Sequence, residues 1–291
     1  MTVRARLVSL LAAVGAAAAA VTGGTALAGG FTPRLFDTFV DARAGSGEPV
    51  WWYSIGTVRA FPSGETLFVM EGWDAARLVP REAGSTEAVQ LSRKIYVMRD
   101  PQTGAVVETY EGRPVTPIAY PYQLITYRLN GAEVDTFVEQ GSGARLQRLG
   151  PITGMSAQMV GDTAAFTAPL YLDIPLPNGT RMQVFENYDF FIHPPSAGLA
   201  EPHQLSWMRT GPLPPWAGGR PAVMHLTTWR VERYEDLPAR MRAYVEDKAP
   251  LWRTPPADLA EIRQLQAGPT APAAVPASAP APAPASGGPA R

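Results

Sequence analysis

Between Val50 and Glu232 the sequence is a run of short stretches rich in β-branched and aromatic residues, and nearly every stretch ends at Gly, Pro or Asn. That pattern favours strands over long helices. Val50–Ala60 is closed by Pro62-Ser63-Gly64 and followed by Leu67–Trp73 as a hairpin partner. Val89–Met98 and Ala105–Tyr110 flank Asp100-Pro101-Gln102-Thr103-Gly104, where proline presets a turn and glycine allows positive φ. Leu170–Leu176 and Met182–Ile192 flank Pro177-Asn178-Gly179-Thr180, and Asn-Gly is the strongest short hairpin signal. Leu124–Leu129, Val134–Glu139, Arg145–Leu149, Met155–Met159 and Ala222–Glu232 supply further short strands, while Phe31–Val40 is expected to lie against the core. Helical spacing begins only at Leu237, with Asp236 as N-cap and Pro238 just inside, and a second short helix is expected over Asp258–Gln266.

The fold class that follows is mostly β: an antiparallel β-barrel of lipocalin or calycin type, or a sandwich, with one or two short C-terminal helices. A barrel of about eight or more strands can hold a small ligand in its mouth or lumen. Both ends of the chain stand apart from this domain. Residues 1–28 have the form of a signal peptide, with Arg4 and Arg6, an apolar run from Leu7 to Val21, and Ala26-Leu27-Ala28 as a cleavage site. The run is shorter than the ~20 residues a spanning helix needs, so no stable membrane anchor is expected after cleavage. Residues 267–291 are an Ala/Pro-rich tail with too little apolar surface to offset its ordering entropy, hence disordered. A single β-rich domain over 29–266 remains, and the expected location is periplasmic or secreted.

Cysteine is absent, which excludes a disulfide framework, a thiol nucleophile, a lipoprotein anchor and thiolate zinc sites. Lys and Arg total 25 against 26 Asp and Glu with no basic run, so no nucleic-acid partner is expected. There is no phosphate loop, dinucleotide fingerprint or His-Glu-x-x-His, and Gly154-Met155-Ser156-Ala157-Gln158 lacks the closing glycine of a nucleophile elbow. No cofactor is expected. His193, His203 and His225 are too far apart in sequence for a local metal motif, so no metal is expected either. The sequence sets no oligomeric state.

The sharpest anomaly is Glu186. Read with period two, Met182, Val184, Glu186, Tyr188, Phe190 and Ile192 share a face, and one carboxylate sits among apolar and aromatic neighbours. Facing an apolar lumen, its charged form would be disfavoured, the condition for a general acid or base. The alternative is a buried ion pair with Arg209. Trp207 and Arg209 share a face with His203 and Leu205 and can clamp an anionic or aromatic ligand. His225 falls on a face with Val223, Thr227, Trp229 and Val231, and Gly211–Trp216 suits a loop at a barrel mouth.

Several motifs point to one family. Phe185-Glu186-Asn187-Tyr188-Asp189-Phe190-Phe191, Trp207-x-Arg209-Thr210-Gly211-Pro212-x-x-Pro215-Trp216, His225 and Glu235-Asp236-Leu237-Pro238 resemble bacterial exported proteins grouped as domain of unknown function 1838. Phe36-Asp37-Thr38-Phe39 and Trp51-Trp52-Tyr53 fit the same group, so the likeness spans nearly the whole globular part. The resemblance implies export and one domain of this length, and it transfers no catalytic residue. Many members carry a twin-arginine signal, whereas Ala5 separates Arg4 from Arg6 here.

Three readings of function follow. In the first, the chain binds a small hydrophobic or aromatic molecule in an aromatic-lined pocket, with Trp207, Trp52, Asp189, Trp229 and His203 as ligand contacts. The second is a cofactor-free lyase, isomerase or hydratase in which Glu186 or His225 moves a proton, Tyr188 assists and Arg209 stabilises negative charge. The third is a non-catalytic envelope structural or partner-binding protein with its tail as spacer.

Overall fold

A computed structural model of the chain describes residues 29–142, 145–175 and 181–267. The signal-like segment, the Asn178-Gly179 turn and the tail beyond Ala267 lie outside the described residues. Helix α1 (Pro33–Ala44) comes first, followed by β1 (Val50–Ala60), β2 (Thr66–Leu78), β3 (Glu87–Arg99), and the two-residue β4 (Thr109–Tyr110) and β5 (Arg113–Pro114). Then come β6 (Ile118–Asn130), β7 (Glu133–Ser142), β8 (Arg145–Ile152), β9 (Ser156–Val160), β10 (Thr163–Pro175), β11 (Arg181–Ile192), β12 (His203–Pro212) and β13 (Pro221–Val231). Helices α2 (Ala239–Lys248) and α3 (Leu259–Ala267) are the last of the described helices.

The protein is mostly β. One antiparallel sheet of 11 strands runs in the order β8-β7-β6-β3-β2-β1-β13-β12-β11-β10-β9 and curls into a half-barrel. Strands β8 and β9 form its two edges. The expected β1–β2 and β10–β11 pairs both form, antiparallel. The Asp100 turn also forms, with the Asp100 carboxylate accepting hydrogen bonds from the Gln102 and Thr103 N–H groups. Its second arm is not the long strand expected over Ala105–Tyr110: it makes an Arg99–Val106 bridge and the small β4–β5 pair. Instead β3 finds its second full-length partner in β6, which is long enough to satisfy the backbone of a strand buried on both faces.

Phe31–Val40 does more than lie against the core, because Pro33–Ala44 is a helix. Its start is encoded locally: the Thr32 hydroxyl accepts from the Leu35 N–H at 3.2 Å, and Pro33 opens the first turn. Phe36, Phe39 and Val40 turn inward and plug one end of the half-barrel. Phe39 meets Tyr127 edge-on at 5.3 Å and Phe190 at 5.5 Å, so the helix joins strands from both halves of the sheet. At the other end the proline-rich loop after β12 folds over, burying Leu213 and Trp216 against Phe68, Met98 and Met224.

The outer face of β1–β3 is covered by the C-terminal segment. Trp51 and Trp73 donate their indole N–H groups to the Arg253 and Trp252 carbonyls, and Trp252 donates to the Tyr120 carbonyl. Glu71, fully buried, accepts from Tyr53 and Arg240 and pairs with Arg99, tying α2 to the sheet. Asp236 is not the cap of α2: it pairs with Arg233, and the helix starts behind Pro238 without a side-chain cap. None of the described helices is long and apolar enough to cross a membrane.

The curl depends on two glycines on the inner face. A Cβ at Gly56 would lie 1.9 Å from the His225 carbonyl oxygen, and one at Gly72 would lie 2.0 Å from that of Ile95. Backbone occupies the space where a side chain would start, the condition for a tight bend. Gly72→Ala is expected to destabilise the fold by about 3 kcal/mol, the upper end of overpacking costs, measured by urea unfolding. An unchanged midpoint would remove Gly72 from this role.

Candidate functional site

The inner face of the half-barrel lines a partly open cavity of about 490 Å³. Phe39 and Trp52 bound it at the α1 end, Leu213 and Pro215 at the loop end, and its walls come from both halves of the sheet. Most of the lining is aliphatic or aromatic, so charged groups stand out.

On the β11–β12 wall, Glu186 lies directly opposite Arg209, and Tyr188 opposite Trp207. All four side chains line the cavity. The Glu186 Oε1 atom is 3.3 Å from Arg209 Nε, while Oε2 accepts from the Tyr188 hydroxyl at 2.5 Å and the Trp207 indole N–H at 3.2 Å. Arg209 also donates to the Pro212 carbonyl at 3.2 Å, linking the cluster to the end loop. The Arg209 and Glu186 side chains are 18% and 14% exposed, so the pair is shielded without being sealed. Burial, and next the Glu186 charge, hold the Tyr188 pKa well above its ordinary value, which keeps its hydroxyl a donor.

A second charged group sits on the wall formed by α1 and β2. Arg43 pairs with Asp74, and both line the cavity. The Arg43 backbone carbonyl accepts the Trp52 indole N–H at 3.0 Å. Beside them Ser54 bridges Tyr96 and Thr228 by hydrogen bonds of 3.2 and 2.8 Å.

The period-two reading of Met182–Ile192 therefore selects the inner face, and Trp207, Arg209 and Trp52 also point inward. Four other candidates do not line the cavity. His225 is on the outer face, where it shares a 3.1 Å hydrogen bond with Ser206, because the adjacent apolar Met224 and Leu226 take the inner positions of β13. Trp229 is outside for the same reason and stacks on Tyr53. Asp189 alternates away from Tyr188 and accepts from Thr167 and Asn187 at 2.8 and 2.7 Å. His203 has the parity of Trp207 but sits at the start of β12, opposite Ile192 and beyond the cavity.

The sequence reading missed Lys94, Tyr120, Arg43 and Asp74, all on the cavity wall. Lys94 had a visible signal: it is one of two lysines in the chain, with Lys248, and it interrupts an apolar strand. Tyr120 escaped because β6 carries a bulge opposite β3 between Ser92 and Lys94, which shifts the alternation of β6. Among the described residues no group of three His, Cys, Asp or Glu side chains could hold a metal ion.

The family described as protein of unknown function (DUF1838) matches residues 50–266. The chain belongs to the DUF1838 family. No curated protein and no solved structure matches it. The DUF1838 match begins at the first residue of β1, so α1, with Phe39 and Arg43, precedes it.

Two measurements check this description of the DUF1838 protein. Arg209→Met leaves Glu186 without its counter-charge and is expected to cost roughly 2 kcal/mol, less than the roughly 3–5 kcal/mol of a sealed pair. The Arg209→Met/Glu186→Gln double variant should recover part of that loss in urea unfolding. His203 is held down to about 4 by burial and then by Arg230. The unfolded chain thus takes up a proton more readily, so this stability is full above the ordinary histidine value of about 6.5 and is lost as pH falls toward 4. His203→Gln should flatten the pH dependence of the melting temperature in that window.

Proposed function

We propose that this chain is a small-molecule binding protein that holds a largely hydrophobic ligand inside its half-barrel. The observation that carries the reading is an apolar cavity, closed at its two ends by α1 and the proline-rich loop, with a few polar groups fixed on its walls. Its volume of about 490 Å³ falls within the roughly 300–1,000 Å³ of small-molecule pockets. Trp52, Tyr188 and Trp207 supply aromatic surface in it. Together with the signal-like residues 1–28, this gives a periplasmic or secreted carrier or receptor.

The acid/base alternative is weaker on one specific ground. Oε2 of Glu186 receives two donors, from Tyr188 and Trp207, and Oε1 faces the Arg209 guanidinium across 3.3 Å. A carboxylate held by an ion pair and two hydrogen bonds is positioned as the counter-charge of Arg209, which disfavours its turning to a substrate as a base. The other proposed proton carrier, His225, faces away from the cavity.

The test is direct binding. Dodecan-1-ol, titrated by calorimetry into the full chain, should bind with micromolar or tighter affinity. Ala168→Phe, which places a ring on the cavity wall, should weaken that binding at least about tenfold, the equivalent of 1.4 kcal/mol. Binding that is absent in the natural chain, or equal in the filled variant, would overturn the reading.

A further inference from the structure

The charged side chains lining the cavity are Arg43, Asp74, Lys94, Glu186 and Arg209. Arg43 is paired with Asp74 and Arg209 with Glu186. Lys94 is left over: among the described residues its ammonium group has neither an ion pair nor a hydrogen bond. It stands opposite Asp74 on β2, whose Oδ2 pairs with Arg43 and whose Oδ1 makes no hydrogen bond, and opposite Tyr120 on β6.

Tyr120 also lines the cavity, and its hydroxyl makes no hydrogen bond among the described residues. Side chains directly opposite each other on paired strands have Cβ atoms about 4.5–5.5 Å apart, so the Lys94 ammonium and the Tyr120 hydroxyl can reach a common acceptor. A further donor waits close by. Arg43 Nη1 is buried with no partner, on the guanidinium that holds Asp74, itself opposite Lys94.

Residue choice agrees with geometry. The chain uses arginine for both paired cations of the cavity and lysine, a compact point charge, for the one without a partner. A half-buried lysine ammonium on a mostly apolar wall has a favourable partner in an arriving anion.

We infer that the ligand is an amphipathic monocarboxylate, whose carboxylate seats between Lys94 and Tyr120 while its apolar body fills the cavity toward Trp207 and Leu226. This rests on the binding reading above and adds the head group. One unpaired cation matches one negative charge. A phosphate dianion would bring a second charge with no cation free to meet it.

Dodecanoate and dodecan-1-ol, titrated into the full chain at pH 8, separate the two claims. Dodecanoate is expected to bind at least about tenfold tighter, the scale of a hydrogen bond to a charged group. Lys94→Gln should bring the ratio to about one, Tyr120→Phe should lower it, and Lys94→Arg should retain it. Lys94 makes no internal contact to lose, so the Gln variant should melt with the natural chain, and its circular-dichroism melt checks this. Equal binding of acid and alcohol by the natural chain, or a ratio unmoved in Lys94→Gln, would overturn the inference and leave hydrophobic binding standing. If neither compound binds, both readings fall. A parallel pair, 2-naphthoate and 2-naphthol, distinguishes an aromatic acid from a chain acid by which body gives the tighter complex.

Discussion

An antiparallel sheet that curls without closing turns one face in on itself, and the apolar side chains on that face must meet something other than water. Here the demand is met at the ends. Helix α1 brings Phe36, Phe39 and Val40 into one end, and the proline-rich loop lays Leu213 and Trp216 across the other. Between them the walls stand too far apart to touch, and the cavity is the space the two plugs leave. The void is thus a product of the same burial that stabilises the fold.

Charge within that space is arranged with economy. Arg43 and Asp74 face each other on one wall, Glu186 and Arg209 on the other, and each pair is braced by neighbouring aromatic residues. The two walls sense each other electrostatically. Burial raises the Tyr120 pKa most, and the Glu186 charge from across the cavity raises it further, against the opposing pull of Arg209. The sources of the field inside the cavity are thus held in place by their own contacts.

Much of this was legible in the sequence because side-chain alternation in strands is strict. The even positions of β11 and the odd positions of β12 carry Glu186, Tyr188, Trp207 and Arg209, and their parity alone placed them on one face. What parity cannot supply is which face curls inward. For β13 the odd set holds His225 and Trp229, yet it is the even set, Ala222, Met224, Leu226 and Thr228, that is buried on the inside. Long-range pairing was also hidden: Lys94 gains meaning only when β6 lies beside β3 and carries Tyr120 to it. Helix α1 went unassigned although Thr32 and Pro33 mark its start, because its apolar residues suit a buried segment of either kind.

The placement of α1 has a practical edge. The family match opens at Val50, so a fragment cut to that boundary would keep every strand and lose the helix. It would be a trough with one end wall missing, exposing Phe190, Trp52 and Tyr127 to water and stripping Asp74 of its arginine. The sheet of this chain becomes a container only with the dozen residues of α1 ahead of it.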